Sequence, residues 1–84
     1  MRSYTVEWDE TAIDLLAALF LQVGDPDILW PAQYRADRLL EQNPAAHGVE
    51  LSEGLWQMIE PPLKIFYEIR DDQRLVLVTH VQLA

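Results

Sequence analysis

Residues Glu60 to Val81 read EPPLKIFYEIRDDQRLVLVTHV, and this stretch decides the fold. Two runs rich in aliphatic, β-branched and aromatic residues, LKIFYEI and LVLVTHV, flank the acidic turn Asp71-Asp72-Gln73. Such side chains fit a pleated surface, so the pair predicts two antiparallel strands joined by a short turn. The double proline Pro61-Pro62 cannot sit inside a central strand and marks where the hairpin begins. Side chains alternate between the faces of a strand, so Leu63, Ile65, Tyr67 and Ile69 share one side and Lys64, Phe66, Glu68 and Arg70 the other. The first set predicts a core face. The second mixes charge with an aromatic ring and predicts a solvent-facing or working face.

Outward from the hairpin, Leu55 to Ile59 reads as the strand before it, ended by Glu60-Pro61-Pro62. At the other end of the chain, Tyr4, Val6 and Trp8 alternate with polar residues, which predicts a first strand with one apolar face. Asp9 is placed to cap a helix over Glu10–Val23, and acidic Glu10 suits the positive end of its dipole. Gly24 and Asp25-Pro26 end that helix. Asp27 is then expected to cap a second helix over Ile28–Gln42, with Pro31 tolerated near its first turn and Ile28, Ala32, Ala36, Leu39 and Leu40 as its inward stripe. Asn43-Pro44 stops it, because the residue before proline is pushed out of helical geometry. The stretch PAAHGVELSEG is a loop with strand character at Val49 to Leu51. The order is β-α-α-β-β-β, an α+β fold in which a helical hairpin covers one face of an antiparallel sheet and leaves the other face open.

The 84 residues, half of them hydrophobic, allow one domain over residues 1–84 with one core. Six basic against fourteen acidic residues give a net charge of -8, a field that repels nucleic acid and suits either solubility or a basic partner. There is no cysteine, so disulfides and thiolate metal sites are excluded. With His47 and His80 as the only histidines and no carboxylate cluster beside them, neither a metal nor another cofactor is expected. No run approaches the roughly 18 apolar residues of a membrane span, and MRSYTVEWDE has the pattern of neither a signal nor a transit peptide, so a cytoplasmic protein is expected.

The order and spacing of a strand, two helices closing on LLEQNP, a glycine-bearing loop, PLKIFYEI, an acidic turn and a final LVLVTHV resemble the small bacterial toxins of the RelE/ParE superfamily. The resemblance implies a RelE-like fold and the toxin role in a type II toxin-antitoxin system, with a cognate antitoxin as partner. RelE-like members are ribosome-dependent endoribonucleases that cut messenger RNA, so ribosome and mRNA become candidate partners. ParE-like members bind DNA gyrase, and fold alone does not choose between the two. RNA cleavage needs a base for the 2′-hydroxyl proton and a cation for the charge growing on the phosphate. Lys64 matches the family's strand cation, and His80 matches a histidine near the end of the last strand. These two are the candidate catalytic residues. The preceding strand carries Leu55, Trp56 and Gln57 where nuclease relatives place lysines, and Val81-Gln82-Leu83-Ala84 ends without a basic tail. A toxin fold that binds without catalysing is therefore kept as an alternative, beside gyrase inhibition.

Each candidate also has a purely structural role open to it: Lys64 as a solvated strand residue, His80 as a surface or cap histidine, and His47 as a loop residue. Arg35 and Arg38 pair with Asp37 and Glu41 along the second helix, and Arg70 and Arg74 pair with Asp71 and Asp72 across the turn. The first helix, with Ile13, Leu15, Leu16, Leu19, Phe20 and Leu21, carries more apolar surface than one sheet face needs. Leu15, Leu19, Trp30 and Trp56 are accordingly the expected partner-binding residues, for an antitoxin or a homodimer.

Overall fold

A computed structural model describes residues 3–84; Met1 and Arg2, part of the N-terminal stretch read above, lie outside the described residues. The elements are β1 (Thr5–Trp8), α1 (Glu10–Val23), α2 (Pro26–Gln42), β2 (Val49–Ser52), β3 (Leu55–Glu60), β4 (Leu63–Arg70) and β5 (Leu75–Leu83), with a 3-10 turn at Asp71–Gln73 between the last two. They form the expected α+β architecture, with both helices contributing to one core on one side of the sheet. The loop residues with strand character make a short strand of their own, so the sheet has five strands, in the order β1-β5-β4-β3-β2. From β2 to β5 it is an antiparallel meander. β1 differs by joining β5 in parallel, so the sheet is mixed. That register places Val6 beside Val76 and Trp8 beside Val78, extending the apolar face by one strand.

Local chemistry sets the helix ends. The Asp9 carboxylate accepts from the Ala12 N–H at 2.8 Å, and Gly24, at φ 80°, returns its N–H to the Phe20 carbonyl. A left-handed residue at this position favours glycine because no Cβ is present to clash. α2 starts two residues earlier than expected. Asp25, not Asp27, is its cap, accepting from the Asp27 N–H at 3.0 Å, and Pro26 occupies the first turn, where a missing N–H is no loss. Pro31 consequently lies inside the helix. The buried stripe is Leu29, Ala32, Ala36 and Leu40, and Ile28, expected inward, is 48% exposed.

Inside the sheet, Leu63, Ile65 and Tyr67 are fully buried, as alternation requires, and Ile69 packs at the core's margin. Met58 joins them from β3 and Val76, Val78 and Val81 from β5. Tyr67 does more than fill space: its hydroxyl donates to the Pro44 carbonyl at 2.7 Å and ties the loop after α2 to the sheet. Burial pushes its phenol up to about 12. Gly48 passes directly over that hydroxyl, where a Cβ would lie 1.9 Å from the oxygen, so only glycine fits.

The spacing Val76, Val78, Val81 breaks the two-residue period of β5. Phe66 pairs with His80 and Tyr67 with Val78, which leaves Thr79 as an extra residue in the ladder, a β-bulge. The bulge reverses the parity of the strand. Val81 turns inward, and His80 turns to the face away from the helices.

Candidate functional site

On that uncovered face, cross-strand pairing assembles a patch from β3, β4 and β5. Directly paired residues share a face, so Lys64 lies between Ile59 and Gln82, and Phe66 between Gln57 and His80. Lys64 and His80 are thus diagonal neighbours across the β4–β5 ladder, roughly 7–8 Å apart at their backbones. Phe66 sits in the middle. The Lys64 ammonium lies 5.8 Å from its ring centroid, and the His80 ring meets it edge-on at 5.3 Å and 71°. The His80 Nε2–H donates to Gln82 Oε1 at 3.1 Å, which leaves Nδ1 as the acceptor nitrogen.

The charge around this patch is sparse. Lys64 is the sole lysine of the chain, and among the described residues it makes no ion pair with a carboxylate. The other cation of the face, Arg70, is bound to Glu68 at 3.0 Å. Leu55, Ile59, Leu75 and Leu77 fill out the face, with Glu7 and Glu68 as acids. At its β3 edge, where β2 begins with the pair Val49–Gln57, a hollow of about 360 Å³ is lined by Ala46, His47, Gly48, Val49, Gln57, Met58 and Ile59. His47 therefore borders the patch without joining the Lys64–Phe66–His80 group. The Tyr67 bond to Pro44 positions this loop from the core side. Among the described residues, no three histidine, aspartate or glutamate side chains gather as metal ligands would. Chemically, the patch offers one cation, one imidazole and an aromatic platform.

The expected partner-binding residues separate. Leu19 is buried in the chain's own core, Leu15 and Trp56 are half-buried against it, and Trp30 is 57% exposed. α1 turns Ala12, Leu16 and Leu19 inward, a stripe the sheet can cover, so its surplus is Ile13 and Leu21 instead. Trp30 stacks on Tyr34, one helical turn along α2, at 5.4 Å and 17°. The arginine pairings also differ in part from expectation. Arg38 reaches Glu41 at 3.7 Å, whereas Arg35 crosses to Glu60 at 2.8 Å. Asp37 instead accepts from the Trp8 indole N–H at 2.9 Å, and burial raises its carboxyl above the usual range against the lowering effect of that bond. At the β4–β5 turn, Arg74 lies over the Tyr4 ring at 4.3 Å, and the Tyr4 hydroxyl donates to Asp71.

Phe66, Gln57 and Gln82 were not picked out from the sequence as site residues. Phe66 was legible from the alternation of β4. The two glutamines become neighbours only through the register.

Neither a protein-family model nor a curated protein matches the sequence. Among solved structures, the chain is similar to one from the toxin-antitoxin complex RelBE2 of Mycobacterium tuberculosis, with a TM-score of 0.84 and 25% identity. The likeness covers 100% of this chain and 94% of that one.

Proposed function

We propose that this chain, a toxin of the RelE/ParE superfamily by its fold, is held by a cognate antitoxin and acts on translated messenger RNA through the open face of its sheet. The supporting observation is the juxtaposition of Lys64 and His80 on either side of Phe66, on the face that no helix covers. A nucleotide stacked on Phe66 would set its phosphate near the lysine and its ribose near the imidazole. His80 Nδ1 takes the 2′-hydroxyl proton as that oxygen attacks phosphorus. Lys64 balances the negative charge growing on the phosphoryl oxygens, and the 5′-oxygen leaves with a proton from water, giving a 2′,3′-cyclic phosphate.

One observation favours a second reading, a toxin fold that binds without cleaving. Among the described residues, the face has a single cation free of a carboxylate, in a chain of net charge -8, so RNA is held poorly unless the ribosome delivers it. Induced expression in a bacterial host, with growth and message cleavage followed together, separates the two. The nuclease reading expects growth arrest with new cuts inside translated codons, both lost in Lys64→Ala and His80→Ala variants that remain folded. Normal growth with soluble, folded protein would leave the binding reading. Arrest with intact message and DNA-damage signalling would move the target to a topoisomerase.

A further inference from the structure

On the outer side of α2, Trp30, Gln33, Tyr34 and Asp37 line a notch of about 120 Å³. They stand at i, i+3, i+4 and i+7, so one helical stripe supplies two aromatic walls and a carboxylate. The aromatic pair is stacked and about half exposed, an unusual expense of apolar surface for a solvated helix. One oxygen of Asp37, Oδ1, accepts from Trp8, and no cation reaches this carboxylate among the described residues. Both nearby arginines have acidic partners other than Asp37. Arg38 donates to the Tyr34 hydroxyl at 3.1 Å, lies over that ring, and pairs with Glu41, while Arg35 is taken by Glu60. Neither lines the notch.

We propose that this notch accepts an arginine or lysine side chain from a basic, amphipathic segment of a partner polypeptide. The cation would meet Asp37, and its aliphatic stem would lie along Trp30, where cation–π attraction and stem burial act together. Complementarity of charge selects such a partner: the same stripe carries Asp27 and Glu41 at its two ends, and the chain's net charge is -8. The half-exposed rings of Trp30 and Tyr34 supply apolar surface for the segment's neighbouring residues, which a free cation would not use. Trp, Tyr and Arg are also the residue types that most often dominate interface energies. The proposal goes beyond the RNA reading and does not depend on it, since the notch lies on α2 and the Lys64 patch on the opposite side of the sheet.

The indole N–H resonances of Trp8 and Trp30 report on the notch directly, because Trp8 donates to Asp37 and Trp30 is a wall. Titration with a capped peptide of alternating leucine and arginine is expected to shift both resonances. The same peptide with citrulline, neutral and nearly isosteric, is expected to leave them in place. Asp37→Asn keeps an oxygen for Trp8 while removing the charge, and with Trp30→Ala it should weaken binding by about tenfold or more. Unchanged resonances with the arginine peptide would overturn the proposal, as would equal binding by Asp37→Asn in a folded protein. Agmatine binding as tightly as the peptide would overturn the polypeptide source. Loss of toxicity in Lys64→Ala has no bearing on any of these outcomes.

Discussion

The two faces of the β4–β5 ribbon are built from alternate residues of the same strands, yet different rules govern them. Leu63, Ile65, Tyr67, Val76, Val78 and Val81 form a buried inner face whose polar side-chain group, the Tyr67 hydroxyl, is itself buried and bonded to Pro44. Lys64, Phe66, His80 and Gln82 form an outer face whose side chains touch one another. Burial determines the first, because each inward methyl group is worth free energy and each inward polar group must find a partner. Register determines the second. A single extra residue at Thr79 moves His80 from the inner face to the outer one.

Inserting one alanine between His80 and Val81 is the most direct way to break the contrast. With the bulge kept at Thr79, Val81 would turn outward and Gln82 inward; were the bulge absorbed instead, His80 would turn inward. An unpartnered polar side chain on the inner face, with Val81 displaced, should cost on the order of 4 kcal/mol, a large part of a small domain's stability. Urea denaturation should show it as a lowered midpoint, and a variant of unchanged midpoint would mean register does not set the faces. Next in size, Ile65→Ala should cost about 3 kcal/mol through the cavity it leaves. Its neighbour Phe66→Ala should cost less than about 1 kcal/mol on the uncovered face while abolishing whatever the patch does. Equal losses in the two variants would erase the distinction between faces.

Tyr67→Phe tests the one polar link of the inner face. Removing its hydroxyl leaves the Pro44 carbonyl without its donor and should cost about 1 kcal/mol, with faster amide exchange in residues 45–48. The same residue predicts alkaline behaviour. Its phenol titrates near 10 when unfolded and about 12 when folded, so its contribution is whole below pH 10 and is lost as pH rises through about 12. Tyr67→Phe should lack that component of alkaline unfolding. The smallest effect belongs to Asp37. Its carboxyl is raised by burial, so its contribution is whole below the ordinary aspartate value of 3.8 and is lost as pH rises through the higher folded one. Asp37→Asn should therefore change stability at neutral pH by no more than about 0.5 kcal/mol, in the stabilising direction, and flatten the acid limb of the stability curve.

Much of this was legible in the chain. Alternation in LKIFYEI assigned the inner and outer residues of β4, and the buried Leu63, Ile65 and Tyr67 follow it. Asp9, Gly24 and Asn43-Pro44 marked helix ends, because caps and breakers act over three or four residues. α2 starts two residues before the expected Ile28, since Asp25 and Asp27 are chemically equal caps and only the proline between them favours the earlier one. Lys64 was legible as an outward cation. Its meeting with His80 was not, because a bulge leaves no mark in residue type.

By itself, then, the sequence determined what depends on neighbours along the chain: the element order, the apolar face of each strand, the caps, and the net charge that disfavours nucleic acid. Tertiary structure alone decided what depends on distant pairs. It set β1 parallel to β5, gave Trp8 to Asp37 and Arg35 to Glu60, drew Leu19 into the core while leaving Trp30 outside, and turned His80 toward Phe66. The physical reason is that periodicity fixes which way a side chain points relative to its own backbone, whereas its companions depend on which strand lies alongside and in what register.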